Sequence, residues 1–504
     1  MLLRQYLPLD SLPSWLRLNG IVGHGISFQK LDGDSNTDKG NAIVATEDLS
    51  NDEDSHVKVL LEVPSDLILS LEAVHTYAKA DRDLREVLEA ASEFGRTARG
   101  SILIFLLLQL THNDPEIPRP IGVSSPWAEY VKFLPPSFPL PTCYSDEEQQ
   151  LLIGTSLAAA VEAKFDSLQR EFDLLREATC GISWCEELWW NENTGRLTMA
   201  DWIYVDAAYR SRMLDLPGSG HSMVPCIDMV NHMAGSAVKA LYETDSDGNA
   251  ILQLRLGKTL HTGEEVTISY GDEKPAAEMI FSYGFLDSDT TEAKKITLDI
   301  DITAATTDPL AFAKKTLCRN IPGLRVSTAY NSEKDILKSL TTSGETTWDS
   351  PFMWWASVNE EDGLSIGVVQ TMDGRRELEA TWKGEKVETP HDLLGLIATH
   401  PSRDIFQLRA LVLVLDRLET EISRMQETEY ELKKFCENNE RLDQIWRPEI
   451  FSLVSRLRQM EGLLLQKAMN DLTERKNELM ESNTVIKYLS QQSQADEVEV
   501  EDFT

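Results

Sequence analysis

Apolar and polar positions change period several times along this chain, and the changes mark its elements. Ile21–Phe28, Ala42–Ala45 and Val57–Val63 are short apolar or alternating runs that predict strands, the last closed by Pro64. Gln29–Gly40 and Ser50–Ser55 between them are rich in turn formers and predict two loops, the first mobile and the second acidic. From Leu71 to Leu110 the period becomes helical: Leu84, Val87, Leu88 and Ala91 recur at 3.6-type spacing. Ser101–Leu110 is almost wholly apolar and predicts a buried helix, at about half the roughly 18 residues a bilayer span requires.

Pro115–Pro141 is proline-rich. Ser145 followed by Glu148 forms a capping box that starts helices running to about Glu177. Leu197–Met213 predicts a further helix. Ala237–Glu243 and Ile251–Leu256 then predict a hairpin, joined by the strong turn Asp245–Gly248. Composition shifts at Asp287–Glu292. Beyond it Ala311–Thr316 and Ser332–Leu340 read as helices, and Trp348–Val387 as an irregular, partly β, Trp-rich excursion. Arg403–Glu437 and Pro448–Tyr488 predict long amphipathic helices, with Leu408, Leu411, Val412, Leu415 and Leu418 forming the stripe that buries against a partner helix. Gln491–Thr504 has five carboxylates and no basic residue, and is expected to be disordered.

Composition narrows the functional classes. The length of 504 residues suggests two to four domains, and no run is long enough for a membrane span. The N-terminus lacks the pattern of a signal peptide. Six scattered cysteines show no C-x-x-C, so neither a structural zinc site nor a disulfide framework is expected, and buried reduced thiols are the plain reading. The net charge of −35 disfavours direct nucleic-acid binding and would draw a basic protein partner, although solubility alone is the competing explanation. No metal is called for, and oligomeric state is left open. In the absence of a dense Lys/Arg cluster the expected location is the cytoplasm, with the nucleus as an addition.

The candidate chemistry lies between residues 209 and 285. Asp228-Met-Val-Asn231-His232 follows an apolar segment, and two Tyr-Gly dipeptides, Tyr270-Gly271 and Tyr283-Gly284, follow it, the second leading into Phe285. Each fragment alone is weak, but their order is specific. With Gly23-His24-Gly25, Leu60–Ser70, Ser125–Tyr130, Glu147–Leu157 and Tyr209–Arg212, they make the chain resemble the SET-domain protein lysine methyltransferases of the Rubisco large-subunit methyltransferase type, collinearly over roughly residues 15 to 290. His24 and Met233 depart from the commoner residues at their positions and remove no group that the chemistry needs.

The resemblance implies an α+β fold: a β-rich SET core over residues 15–70 and 200–290, split by a helical insert over 71–199. A mostly helical substrate-binding domain over 291–490 and the tail 491–504 would follow. It implies S-adenosylmethionine as cofactor and methylation of a lysine on a non-histone, basic protein such as a ribosomal protein or translation factor. Tyr270 would be the catalytic aligning residue. Gly23, His24, Gly25, Arg212, Asn231, His232 and Tyr270 would contact the cofactor, and Asp228, Tyr283 and Phe285 the substrate. A plain turn competes for the two glycines, and an internal ion pair or cap competes for Asp228 and Arg212. A SET-fold histidine methyltransferase and a non-catalytic adaptor are the alternative functions.

Overall fold

The computed structural model describes residues 1–32, 38–51, 58–118, 121–300, 308–318, 323–328, 338–370, 374–439 and 441–491. The chain divides into two compact units. Met1–Gln149, Ala159–Lys274 and Glu278–Ser288 make the first; Gln150–Ala158, Pro275–Ala277 and Asp289–Thr504 make the second.

The first unit is α+β. Its strands are β1 (Val22–Gly23), β2 (Ile26–Asp32), β3 (Asp38–Ala45), β4 (Leu49–Ser50), β5 (Val59–Val63), β6 (Leu214–Leu216), β7 (Gly220–Ser222), β8 (Asn231–His232), β9 (Ala240–Thr244), β10 (Ala250–Leu254), β11 (Thr259–Leu260) and β12 (Thr267–Ile268). They form small sheets: β1-β5-β10-β9, β2-β3, β4-β11, β6-β7 and β8-β12. All pairings are antiparallel except β8 with β12, where Asn231 lies opposite Thr267 and His232 opposite Ile268. The predicted hairpin forms as β9–β10, with Asp245 accepting the N–H groups of Asp247 and Asn249 through its side chain. Gln29–Gly40 is not a free loop. The β2–β3 hairpin extends into it, with Gln29 opposite Ala42 and Leu31 opposite Gly40. Residues 33–37, and 52–57 of the acidic loop, lie outside the described residues.

Between the two strand groups sit helices with clear start signals. Ser70, Asp81 and Thr97 each accept a backbone N–H three residues on, opening the helices Leu71–Ala80, Arg82–Ala90 and Ala98–Asn113. Every residue from Gly100 to Thr111 is buried, as expected of a helix that is apolar on all faces. The Ser145–Glu148 capping box is reciprocal, at 3.1 and 3.2 Å. The helix Met199–Arg212, which carries Arg212, starts at a second box formed by Thr198 and Asp201.

The second unit combines two long helices, Arg403–Asn438 and Pro448–Met480, with two small antiparallel sheets. The first sheet is ordered β13-β14-β16-β15, from β13 (Lys295–Asp299), β14 (Gly323–Thr328), β15 (Thr342–Ser343) and β16 (Thr346–Asp349). The second is ordered β17-β18-β19, from β17 (Leu364–Gln370), β18 (Arg376–Trp382) and β19 (Glu385–Val387). The Trp-rich segment is therefore regular: Trp348 lies in β16, Trp354 and Trp355 lie on the helix Pro351–Ala356, Trp382 ends β18, and all four are buried. Its short elements are individually too brief for a period to show in sequence. The helical stripe is rotated from expectation. Leu408, Leu411, Val414, Leu415 and Leu418 are buried, while Val412 is 50% exposed. Of the cysteines, Cys185, Cys226 and Cys318 are buried, Cys143 and Cys436 half-buried and Cys180 exposed, so burial holds for only part of the set. Of the predicted helix Ser332–Leu340 only the end is seen, in Lys338–Thr341, and residues 492–504 lie outside the described residues.

Candidate functional site

The site is built where β8 meets β12, and it has an aromatic half and a polar half. The aromatic half starts from Tyr270, two residues beyond β12. Its backbone N–H donates to His232 Nδ1 at 2.9 Å, and its hydroxyl donates to the Val230 carbonyl at 2.7 Å. These two bonds pin the ring at both ends. It stacks on His232 at a centroid distance of 5.1 Å, approaches Tyr283 at 4.5 Å and meets Phe285 edge-on at 6.3 Å. Four residues separated by up to 53 positions thus form one cluster. The glycines of both Tyr-Gly pairs are required by backbone geometry. Gly271 has φ +125°, and Gly284 has φ +81° with a Cβ position only 2.3 Å from the Pro139 carbonyl oxygen.

Donor counting fixes the histidine tautomer. Because Nδ1 accepts from Tyr270, the ring proton sits on Nε2, 3.3 Å from an Asp287 carboxylate oxygen. The Ile268 carbonyl, 3.3 Å from Nδ1, cannot then be a hydrogen-bond acceptor from it. Burial pushes the Tyr270 phenol far above its usual range, and Arg212 nearby only partly opposes this. Tyr270 therefore stays protonated, with its proton directed at Val230. It is suited to orienting a reactant and unsuited to removing a proton from one. Burial also raises the Tyr283 phenol.

The polar half centres on Arg212 and Asp228. Arg212 Nη1 donates to the Asp228 carbonyl at 3.0 Å and to its carboxylate at 3.1 Å. The other carboxylate oxygen of Asp228 accepts from the Tyr130 hydroxyl, which in turn accepts the Cys226 N–H at 2.8 Å. Cys226, at φ +72°, opens the turn Ile227–Met229 that leads into β8. Burial alone would weaken the Arg212 charge, but the Asp228 carboxylate beside it more than offsets this, and the guanidinium stays ionised. Both Asp228 oxygens are engaged within the chain, so the ion-pair reading describes its contacts.

Asn231 Nδ2 donates to Glu265 at 2.7 Å. Glu265 bridges to Val44, next to Ala45, whose partner across the hairpin is Ile26. The Gly25 carbonyl accepts the Thr46 N–H at 2.8 Å, which carries the Gly23-His24-Gly25 turn into the same network. Gly23 and His24 are exposed, and Gly25 has φ +65°.

Two features suit these residues to an amino-acid-bearing nucleotide ligand. Arg212 Nε is buried with no hydrogen-bond partner among the described residues. At Gly25, φ +65° and a Cβ position only 2.8 Å from the Glu47 carboxylate reserve the place for glycine, which leaves the backbone there without a side chain of its own. Sequence reading did not identify Tyr130, Glu265 or Asp287. Tyr130 lies inside a segment that carries the resemblance, but only the fold shows what it touches.

The parallel Asn-His strand, the two tyrosines behind it and the split β-rich core define a SET fold. No protein-family model matches the chain. It is 26% identical over 435 residues to SET domain-containing protein 8 of Schizosaccharomyces pombe, covering 86% of this chain and 90% of that one. It is 24% identical over 301 residues to the chloroplastic Rubisco large-subunit N-methyltransferase of Pisum sativum, covering 57% of this chain and 53% of that one. It is 22% identical over 279 residues to actin-histidine N-methyltransferase of Danio rerio, covering 52% and 40%. The chain thus spans about half or less of the plant and fish proteins. Among solved structures, the SET domain of LSMT bound to lysine and AdoHcy superposes with a TM-score of 0.62 at 18% identity, over 94% of this chain and 92% of that one. The chain thus has the SET fold and is similar to SET-domain proteins that include the Rubisco large-subunit N-methyltransferases.

Proposed function

We propose that this protein is an S-adenosylmethionine-dependent protein lysine N-methyltransferase acting on a basic, non-histone protein such as a ribosomal protein or translation factor. The observation that carries the reading is the aromatic cluster of Tyr270, Tyr283 and Phe285 set directly against the Asn231–His232 strand. S-adenosylmethionine, when bound, supplies an activated methyl group on a sulfonium centre. Arg212 would take its carboxylate, the Asn231 amide its amino-acid end and the His232 backbone its adenine. The Gly23-His24-Gly25 backbone would lie along it. Asp228 serves the site through Arg212.

The acceptor amine must be neutral to react, although a free lysine has a pKa near about 10.4. A narrow aromatic channel disfavours the ammonium form by desolvation, so no strong base is needed. Tyr270, with its own proton on Val230, offers its oxygen lone pairs to align the amine and the methyl group. Tyr283 and Phe285 wall the channel and limit how many methyl groups fit. Alignment of this kind can remove roughly 7–11 kcal/mol from a barrier.

A second reading, histidine as the acceptor, is favoured by the similarity to the fish actin-histidine enzyme. One experiment separates the two. The protein is incubated with radiolabelled S-adenosylmethionine and an extract lacking its own activity, and the labelled residue is identified by mass spectrometry. Labelled lysine is the expected result. Labelled histidine would replace the first reading by the second, and cofactor binding without any transfer would point to an adaptor.

A further inference from the structure

We infer that Tyr130 is a positioning residue for cofactor recognition: through Asp228 it holds the Arg212 guanidinium ready for the carboxylate of S-adenosylmethionine. The inference rests on the role given to Arg212 above and extends it to a residue of the helical insert.

Hydrogen-bond accounting comes first. The Cys226 N–H donates to the Tyr130 oxygen at 2.8 Å, so the single phenol proton goes to Asp228. The remaining Asp228 oxygen and its carbonyl both accept from Arg212 Nη1, at 3.1 and 3.0 Å. Arg212 Nε is left buried and without a partner among the described residues. A guanidinium presents five N–H donors in a rigid fork, so fixing one arm fixes where the others point.

Geometry gives the arrangement its purpose. The Tyr130 proton satisfies one Asp228 oxygen and so fixes the carboxylate, whose other oxygen holds Arg212 through Nη1 alone. Arg212 Nε is thereby left as a preorganised donor for an incoming carboxylate. The ordinary alternative is that Tyr130 is a core aromatic. Its ring does pack on Trp15 at 5.1 Å and Trp127 at 5.3 Å, and it is 0% exposed. Packing accounts for the ring. It does not account for a hydroxyl that bridges Asp228 and the N–H of Cys226, a residue held at φ +72°.

The test compares S-adenosylmethionine with decarboxylated S-adenosylmethionine, which keeps the sulfonium and lacks the carboxylate. Dissociation constants are measured by calorimetry for the wild type and Tyr130→Phe. The wild type should prefer the intact cofactor by roughly ten- to a hundredfold, and Tyr130→Phe should shrink that preference by about tenfold while binding the decarboxylated form as before. An unchanged preference, or equal weakening toward both ligands, overturns the inference. A wild type that binds both ligands equally overturns the Arg212 assignment as well, and one that binds neither overturns the cofactor reading. Should Tyr130→Phe fail to fold, a fluorotyrosine at position 130 keeps the ring and hydroxyl. Its ¹⁹F resonance should move on addition of S-adenosylmethionine and stay in place with the decarboxylated form; a resonance that responds alike to both overturns the inference.

Discussion

Around Arg212 the chain meets buried charge with charge, joining Arg212, Asp228 and Tyr130 by hydrogen bonds that reach across 98 positions of sequence. Around Tyr270 it does the opposite, surrounding one hydroxyl with the rings of His232, Tyr283 and Phe285 and satisfying that hydroxyl from the Val230 backbone. Under the proposed function, the contrast teaches how one fold can serve two reactants of opposite need. A charged ligand end is recognised by an ionised, preorganised donor, whereas a reacting amine must be stripped of water and charge. The polar half should therefore govern stability and cofactor binding, and the aromatic half turnover.

Removing the guanidinium should have the largest effect on the fold. Arg212→Ala leaves Asp228 buried without its counter-charge and should lower unfolding free energy by roughly 3–5 kcal/mol in urea denaturation, with loss of cofactor binding. A loss under about 1 kcal/mol would mean that water already screens the pair. Next comes Gly284→Ala, where φ +81° and the Pro139 carbonyl leave no room for a Cβ. It should cost more than about 1 kcal/mol and also slow turnover by displacing the flanking Tyr283 and Phe285.

High pH separates the halves in another way. The folded Tyr270 phenol is held above its unfolded value of about 10, so its contribution to stability is complete below about pH 10 and fades as pH rises further. Tyr270→Phe should flatten part of the alkaline loss of stability followed by circular dichroism; an unchanged profile would place Tyr270 in contact with water. The smallest effect is expected from Tyr283→Phe, which removes a hydroxyl from a half-buried ring and should change stability by less than about 0.5 kcal/mol. Its effect should appear instead in the ratio of mono- to multiply methylated product.

Local signals in the sequence were sufficient for much of this. The capping box at Ser145, the apolar helix through Ser101–Leu110 and the Asp245 turn each depend on residues within a few positions of one another, and each forms. The Asn-His and Tyr-Gly pairs were legible for a different reason, as a pattern shared with a family. Long-range partners left no such trace. Nothing local to Tyr130 announces Asp228, and nothing in Asn231 announces Glu265. The second unit shows the same limit, because β13 to β19 are mostly short strands whose pairing, not their composition, makes them regular. Val412 lies off the buried stripe and Val414, two positions on, lies within it, because two residues turn a helix to nearly its opposite face.

The division of labour is tested most directly by Tyr270→Phe, with turnover on the identified acceptor and the dissociation constant for S-adenosylmethionine measured on the same preparation. The Val230 hydrogen bond and the orienting oxygen vanish together in this variant, while the Arg212 network is untouched. Turnover should fall by about a hundredfold or more, and cofactor affinity should stay within about threefold of the wild type. Near wild-type turnover, or a loss of affinity as large as the loss of turnover, would contradict the account.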